Sequence, residues 1–465
     1  MSETRAATIP TDWSELRNQL GGQLFVAGEP DWDAVRLGWN LAADQRPVAV
    51  ALPANPVEVS QVVRYARRAG LRVAVQGTGH AAPAAGSLEQ AILLKTSRLR
   101  GLTVDAVARS ARAEAGVVWG EVGKAADKYG LAGLAGSSPD VSVIGLTLGG
   151  GIGWLSRRYG LAANSVLAAE AITADGEIVR ASATSEPDLF WALRGGGGSF
   201  AAVTALEFAL HPVPEVYAGA LLWPIERAAD VLDAWRQWTE TAPDEATTCA
   251  RLLRLPPLPD IPEALRGRSF VAVDGAFIGD EAQGVQLMRG LRELRPDTDT
   301  FRQMSASDLG EIHMDPAHPV PGLSESMVLN VLTPDAIQAL LAVAGPGQRL
   351  PLLAIDIRHL GGALAVAPVQ HGVAGTVDGR FIVTAIGMLA SPELRVAVPV
   401  AAATVLAALA PWDGGRRCLN MTTRPTSGVA LFGQEGYERL LRIRARYDPD
   451  RVFVAAHEVG AGLPR

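Results

Sequence analysis

The chain has 465 residues, is 48% apolar and 20% charged, and contains 49 Gly and 30 Pro, a composition that supports extensive cores and excludes a largely disordered protein. A net charge of −7 leaves no basic footprint for nucleic acid. Only 2 cysteines are present, Cys249 and Cys418, which excludes a disulfide framework and a thiolate metal cluster and fits a cytoplasmic location.

The opening, MSETRAATIPTDWSEL, lacks the basic region and apolar run of a secretion leader, in keeping with that location. Further on, NPVEVSQVVRYARRAG predicts a helix. Asn55 can cap it, Pro56 sits where a missing amide donor costs nothing, and Glu58 completes a capping box. Val59, Val62, Val63 and Ala66 then share one face, and Gly70 can supply the left-handed stop. The next segment, LRVAVQ, reads as a buried strand running into Gly77-Thr78-Gly79-His80.

Two more glycine clusters follow, at Gly149-Gly150-Gly151-Ile152-Gly153 and at Gly195 through Gly198. Glycine lets backbone amides approach a phosphate closely, so each loop can form an anion nest. One such loop is more often an ordinary turn, but three in one region favour a large phosphate-bearing cofactor. The flanks disfavour a Rossmann fingerprint, because Pro83 interrupts any helix after the first loop, and no P-loop lysine follows a cluster.

Pro212 and Pro214 mark a change of texture. Beyond them come an acidic helical stretch (ERAADVLDAWRQWTE), a proline-rich connector (LPPLPDIP) and apolar strands such as SFVAVDGAFIG, LLAIDIRHLGGAL and RFIVTAIGM, which together predict a second α+β domain. Val396 to Trp412 carries Pro399 and Pro411 and falls short of the roughly 20 apolar residues a membrane span needs, so it reads as a packed helix. The tail, YERLLRIRARYDPDRVF, reads as a basic helix stopped by Pro449, its arginines forming a solvated face. There is no internal repeat. Polar candidates for proton transfer in the second domain are Tyr217, His313, Asp356, Arg358, His359, His371 and Asn420, with histidine the best acceptor near neutral pH.

Four segments carry a resemblance: VAVQGTGH around His80, SSPDVSVIGLTLGGGIGWLSRRYGL from Ser137 to Leu161, EPDLFWALRGGGGSFAAVTALEFALHPV from Glu186 to Val213, and the ending YERLLRIRARYDPDRVF. Together they resemble the FAD-linked oxidases of the vanillyl-alcohol oxidase superfamily, in its berberine-bridge-enzyme-like branch with a PCMH-type FAD-binding domain. The resemblance implies a two-domain α+β fold. Residues 1–213 would form the FAD-binding domain, 214–411 a substrate domain with an antiparallel sheet, and 412–465 a segment returning to the FAD domain.

The resemblance also implies roles for residues. FAD would be held by Gln76, Gly77, Thr78, Gly79, His80, Ser138, Val141, Ser142, Gly145, Gly149, Gly150, Gly151, Gly153 and Val203. The histidine of the first loop, here His80, forms an 8α bond to the flavin in that family, although Gln76 stands where arginine is usual and Ala81 where serine is. Ser138 falls at the position of a second, cysteinyl attachment and cannot form that thioether, so a single link is implied. Val141 matches the family's oxygen gate, where valine goes with oxygen access.

Asn420 matches a tyrosine-flanked segment of the alcohol- and sugar-oxidising relatives, but both tyrosines are gone, and Met421 makes the site more apolar. The ending, Phe453-Val454-Ala455-Ala456-His457-Glu458, departs from the family's F-x-x-N-x-N. The catalytic candidates are thus Asn420, His359, Tyr217 and Val141. The function implied is that of an oxidase taking a hydride from a small natural product at the flavin and reducing O2 to hydrogen peroxide. The alternatives are a dehydrogenase using another acceptor and a non-catalytic ligand-binding protein. Expected partners are a small-molecule substrate and O2, with no nucleic acid, membrane or metal, in a monomer or homodimer.

Overall fold

The computed structural model describes residues 12–259 and 261–461; residues 1–11 of the opening segment and Asp260 in the proline-rich connector lie outside them. Local signals set the first elements. Helix Pro56–Arg68 begins where the Asn55 side chain accepts from the Glu58 amide (3.0 Å) and ends before Gly70 at φ 68°. The reciprocal contact of the box goes to the Ala54 amide (2.8 Å), while the other Glu58 oxygen accepts from the Asn55 side-chain amide (2.8 Å). Its apolar face, Val59, Val62, Val63 and Ala66, is buried, each valine contributing about 1.5–3 kcal/mol relative to exposure.

The architecture is α+β, built on three sheets. The first holds, in spatial order, Leu24–Val26, Ala49–Ala51, Ala91–Lys95, Arg72–Gln76 and Phe453–Val454. All its pairs but the first are parallel. The second is an antiparallel sheet of Leu102–Asp105, Ser110–Glu114, Ala202–Ala209, Val166–Ile172 and Ile178–Ser182. One hydrophobic cluster runs through this half and takes in Leu440, Ile443 and Phe453 of the tail.

The third sheet is antiparallel and eight-stranded. Its longer strands are, in spatial order, Glu215–Pro224, Ser269–Phe277, Ala246–Arg254, Ala354–His359, Phe381–Met388 and, at one edge, Gly322–Leu329. Helices Ala228–Thr239, Pro334–Ala344 and Pro392–Ala408 cover one face with a separate core. Pro392–Ala408 is the packed helix read from sequence. It starts earlier than the apolar stretch, at a Ser391 cap, and buries Val398, Ala401, Ala402 and Val405. Among the described residues no helix is long and apolar enough to cross a membrane.

The tail helix, Gln434–Tyr447, packs back on the first half, and Phe453–Val454 pairs with Val73–Ala74. The solvated-face reading fails at one arginine. Arg444 is buried, donating to the Phe453 carbonyl (3.0 Å) and pairing with Glu458 (3.0 Å) and Asp448 (3.4 Å), because it faces the hinge where the chain turns into the last strand.

A cleft between the glycine loops and the antiparallel sheet

A cleft of about 510 Å³ opens between the carboxyl ends of Arg72–Gln76 and Phe453–Val454 and the helix-free face of the eight-stranded sheet. Residues two apart on a strand share a face, so Arg251 and Leu253 line it together, as do Ile386 and Met388. Leu353 completes an apolar wall, while Leu323 turns into the helix-covered core.

That alternation corrects two catalytic candidates. Tyr217 and His359 project from the opposite face, into the helix-covered layer. Tyr217 is 2% exposed, and its hydroxyl accepts from Arg292 (2.6 Å). His359 stacks on Phe381 and contacts Arg157 through Nε2 (3.1 Å). Burial and the Arg157 charge push its pKa down to about 3. Neither residue lines the cleft. His371 is also outside it, with Nδ1 against the Gly372 carbonyl (2.6 Å).

On the other wall, Gln76, Gly77, Thr78, Gly79, His80, Ser138, Val141, Ser142, Gly145, Gly149 and Val203 all line the cleft. Gly79, at φ 88°, lets the loop cross the Gly38-Trp39 backbone; a Cβ there would lie 2.7 Å from the Gly38 Cα. The Trp39 amide donates to the Thr78 carbonyl (2.8 Å), and its indole stacks on the His80 ring, centroids 4.1 Å apart. Nε2 of His80 is buried and lies 3.5 Å from an Asp140 oxygen without a hydrogen bond. Ser142 caps Val143–Leu148, accepting from the Gly145 amide (3.3 Å).

Gly150, Gly151 and Gly153 do not line the cleft, contrary to their assignment as cofactor contacts. They serve packing: a Cβ at Gly153 would fall 1.6 Å from the Ala135 carbonyl oxygen, and the Gly151 amide donates to Asn420 Oδ1 (3.0 Å). Asn420 donates in turn to the Leu146 carbonyl (3.1 Å). Both ends of its carboxamide are therefore spent on clamping the glycine loop, although the residue borders the cleft.

The cleft-facing side of the sheet carries a buried charge cluster, with Arg251 and His313 bordering the cleft. His313 holds Asp274 through Nδ1 (2.7 Å) and Asp356 through Nε2 (3.2 Å), while Arg251 pairs with Asp356 (3.0 Å) and Asp274 (3.3 Å). Burial and Arg251 push the His313 pKa down, but the surrounding carboxylates outweigh them and raise it to about 9. Burial likewise opposes ionisation of Asp356, and Arg251 and His313 reverse it, holding the carboxyl below its usual range. With both nitrogens engaged and the ring charged, His313 is no proton acceptor near neutrality. Arg358 is buried over the Trp154 ring, its Cζ 5.1 Å from the centroid. Asp315 is the one acidic residue among those lining the cleft and accepts a hydrogen bond from Ser138, joining the two walls.

The cleft suits a large cofactor rich in hydroxyl and imide groups. Four buried side-chain atoms of its lining residues lack hydrogen-bond partners: Trp39 Nε1, Gln76 Oε1, His80 Nε2 and His457 Nδ1. Gly197 and Gly198 also border it, where an added Cβ would meet nothing closer than 3.8 and 3.9 Å and would enter the space itself. Trp39, Arg251, Asp315 and His457 were not singled out as site residues from sequence. Only His457 stood near a motif.

The FAD binding domain family matches residues 47–182, and the berberine and berberine-like family matches residues 422–460. The chain thus carries an FAD binding domain and a berberine-like segment, and it is similar to FAD-linked oxidoreductases. It is 34% identical to (R)-6-hydroxynicotine oxidase of Paenarthrobacter nicotinovorans over 205 residues, 44% of this chain and 45% of that protein, so the match spans about half of that relative's length. It is 25% identical to the FAD-linked oxidoreductase YvdP of Bacillus subtilis (strain 168) over 455 residues, 94% of this chain and 97% of the relative. The structure of Physcomitrella patens BBE-like 1 shares the fold, with a TM-score of 0.82 at 19% identity, covering 97% of this chain and 99% of that one.

Proposed function

We propose that this chain is an FAD-dependent oxidase with a single covalent flavin link, to His80, that takes a hydride from a small apolar donor and passes the electrons to O2. When bound, FAD supplies the hydride acceptor and the reduced centre that O2 oxidises, with hydrogen peroxide as coproduct. The observation that carries the reading is His80 itself: a buried imidazole nitrogen with no hydrogen-bond partner, 3.5 Å from Asp140, lining a glycine-edged cleft, its ring stacked on Trp39.

The chain's other residues support the same reading. Ser138 is tied to Asp315 and offers no sulfur for a second link. Val141 lines the cleft with a small side chain, leaving room for a diatomic molecule in a close-packed wall. Leu253, Leu353, Ile386 and Met388 present an apolar surface to the donor and exclude water from it. Asn420 keeps the glycine loop in register.

Acid precipitation tests the link. The polypeptide is expected to carry the yellow colour into the pellet, and His80→Ala to release it to the supernatant. Flavin released by the wild type defeats the covalent link alone, and a wild-type chain that takes up no FAD overturns the whole reading. Turnover is expected to consume one O2 for each peroxide formed; turnover only with an artificial acceptor would make the protein a dehydrogenase.

A further inference from the structure

His457 is the one polar side chain among the cleft-lining residues beyond Phe453, its companions there being Val454, Ala455 and Ala456. The imidazole is 5% exposed. Its Nε2 lies 3.0 Å from the Thr422 carbonyl oxygen, which can only accept, so Nε2 carries the proton. Burial pushes its pKa down, outweighing the Thr422 and Leu419 carbonyls that favour the charged form, and so favours the neutral ring. Nδ1 is therefore a lone-pair acceptor, and it is buried without a partner.

The backbone on either side fixes where that acceptor sits. Glu458 pairs with Arg72 (2.8 Å), Arg444 (3.0 Å) and Arg451 (2.6 Å), and the Val459 amide donates to Ser199 (3.0 Å). Upstream, Val454 stands in parallel register with Ala74, so His457 and Gln76 leave neighbouring strands at the same carboxyl edge. Ligands of parallel sheets gather at that edge. Gln76 Oε1 is a second unpartnered acceptor there.

We propose that His457 is a cofactor-binding residue whose Nδ1 accepts a hydrogen bond from an N–H or O–H of bound FAD, either the imide of the ring or a hydroxyl of its ribityl chain. The inference rests on the FAD reading above. It assigns to His457 a polar contact that Ala456 cannot make and that Glu458, spent on three arginines, does not offer.

The test is FAD binding by the full-length His80→Ala chain, in which the flavin is held reversibly, measured by equilibrium dialysis after the flavin is stripped. His457→Leu is expected to raise Kd about tenfold, the size of one lost buried hydrogen bond. Asparagine places its carbonyl oxygen near the position of Nδ1 but does not reach Thr422. Glutamine reaches Thr422 but leaves the Nδ1 position empty. His457→Asn should therefore bind within about threefold of the parent, and His457→Gln should fall with leucine. The melting temperature of each flavin-free chain shows whether folding itself has changed. Equal binding by the parent and His457→Leu overturns the inference and leaves the FAD reading standing. Recovery by glutamine but not asparagine also overturns it, assigning His457 a purely structural contact with Thr422. A His80→Ala parent that binds no FAD, alongside a wild type that binds none, defeats the FAD reading itself.

Discussion

The two walls of the cleft satisfy their polar groups in opposite ways. On the glycine-loop wall, Gln76, His80 and His457 each present a buried polar atom with no protein partner. On the sheet wall, Arg251, His313, Asp274 and Asp356 neutralise one another, and mainly apolar side chains reach the cleft. A buried polar group without a partner costs about 1–3 kcal/mol, so the first wall is incomplete without a ligand and selects it by hydrogen bonding. The second balances its charges without one, leaving only Asp274 Oδ1 unpaired within the cluster. It selects by shape and apolar area, and it can vary its occupant without losing its own stability.

Breaking the self-contained wall should have the largest effect. Asp356→Ala leaves the Arg251 and His313 charges short of a buried partner and is expected to cost about 3–5 kcal/mol in denaturant unfolding. A loss below about 1 kcal/mol would mean that the cluster is not the closed unit described. The same wall should respond to pH. His313 has a folded-state pKa raised to about 9, facing Asp274, Asp356, Asp315 and Arg251. Its contribution to stability is full below the unfolded value near 6.5 and is lost as pH rises through about 9. Stability should therefore fall over that window by up to about 1.4 kcal/mol per pH unit, and His313→Gln should flatten the slope. An unchanged slope would show that the ring is neutral throughout.

Two smaller effects address the facing wall and the bond between the two. Val141→Leu is expected to slow reoxidation of dithionite-reduced enzyme by about tenfold, or about 1.4 kcal/mol of barrier, while reduction by substrate survives. Equal rates in stopped-flow mixing with air-saturated buffer would remove the oxygen-access role of Val141. Ser138→Ala deletes the hydrogen bond to Asp315 and should cost about 0.5–1.5 kcal/mol of stability, while in the His80→Ala background it should leave the Kd for FAD unchanged. Weaker FAD binding there would place Ser138 among the groups that hold the cofactor.

The helix after Asn55 and the glycine loops were legible because caps and turns are local: a few neighbouring side chains decide them. The motif positions around His80 and Ser138 likewise came out on one surface. The sheet wall was not legible in the same way. Strands Ala246–Arg254 and Ala354–His359 are buried along nearly their whole length, one face by helices and the other by the cleft, so apolar residues do not alternate with polar ones. Without that alternation the sequence cannot say that Asp356 and His359 point apart. Nor do residue types reveal that His313 is held between two carboxylates, since Asp274 and Asp356 reach it from separate strands. Arg444 was misread for a related reason, its partners being supplied by a turn that follows the helix.

The parallel pairing of Phe453–Val454 with Arg72–Gln76 also sets a timetable. Gln76 and His457 stand at one edge of one sheet, yet about 380 residues are made between them. At roughly 5–20 residues per second, the first glycine loop waits on the order of 20–75 s for the strand that completes its sheet. During translation the loop is present, but the edge that faces the cofactor is not. Flavin capture is thus expected to be a late event, gated by arrival of the tail, and the proposed link at His80 would follow assembly of a surface whose two sides are synthesised at nearly opposite ends of the process.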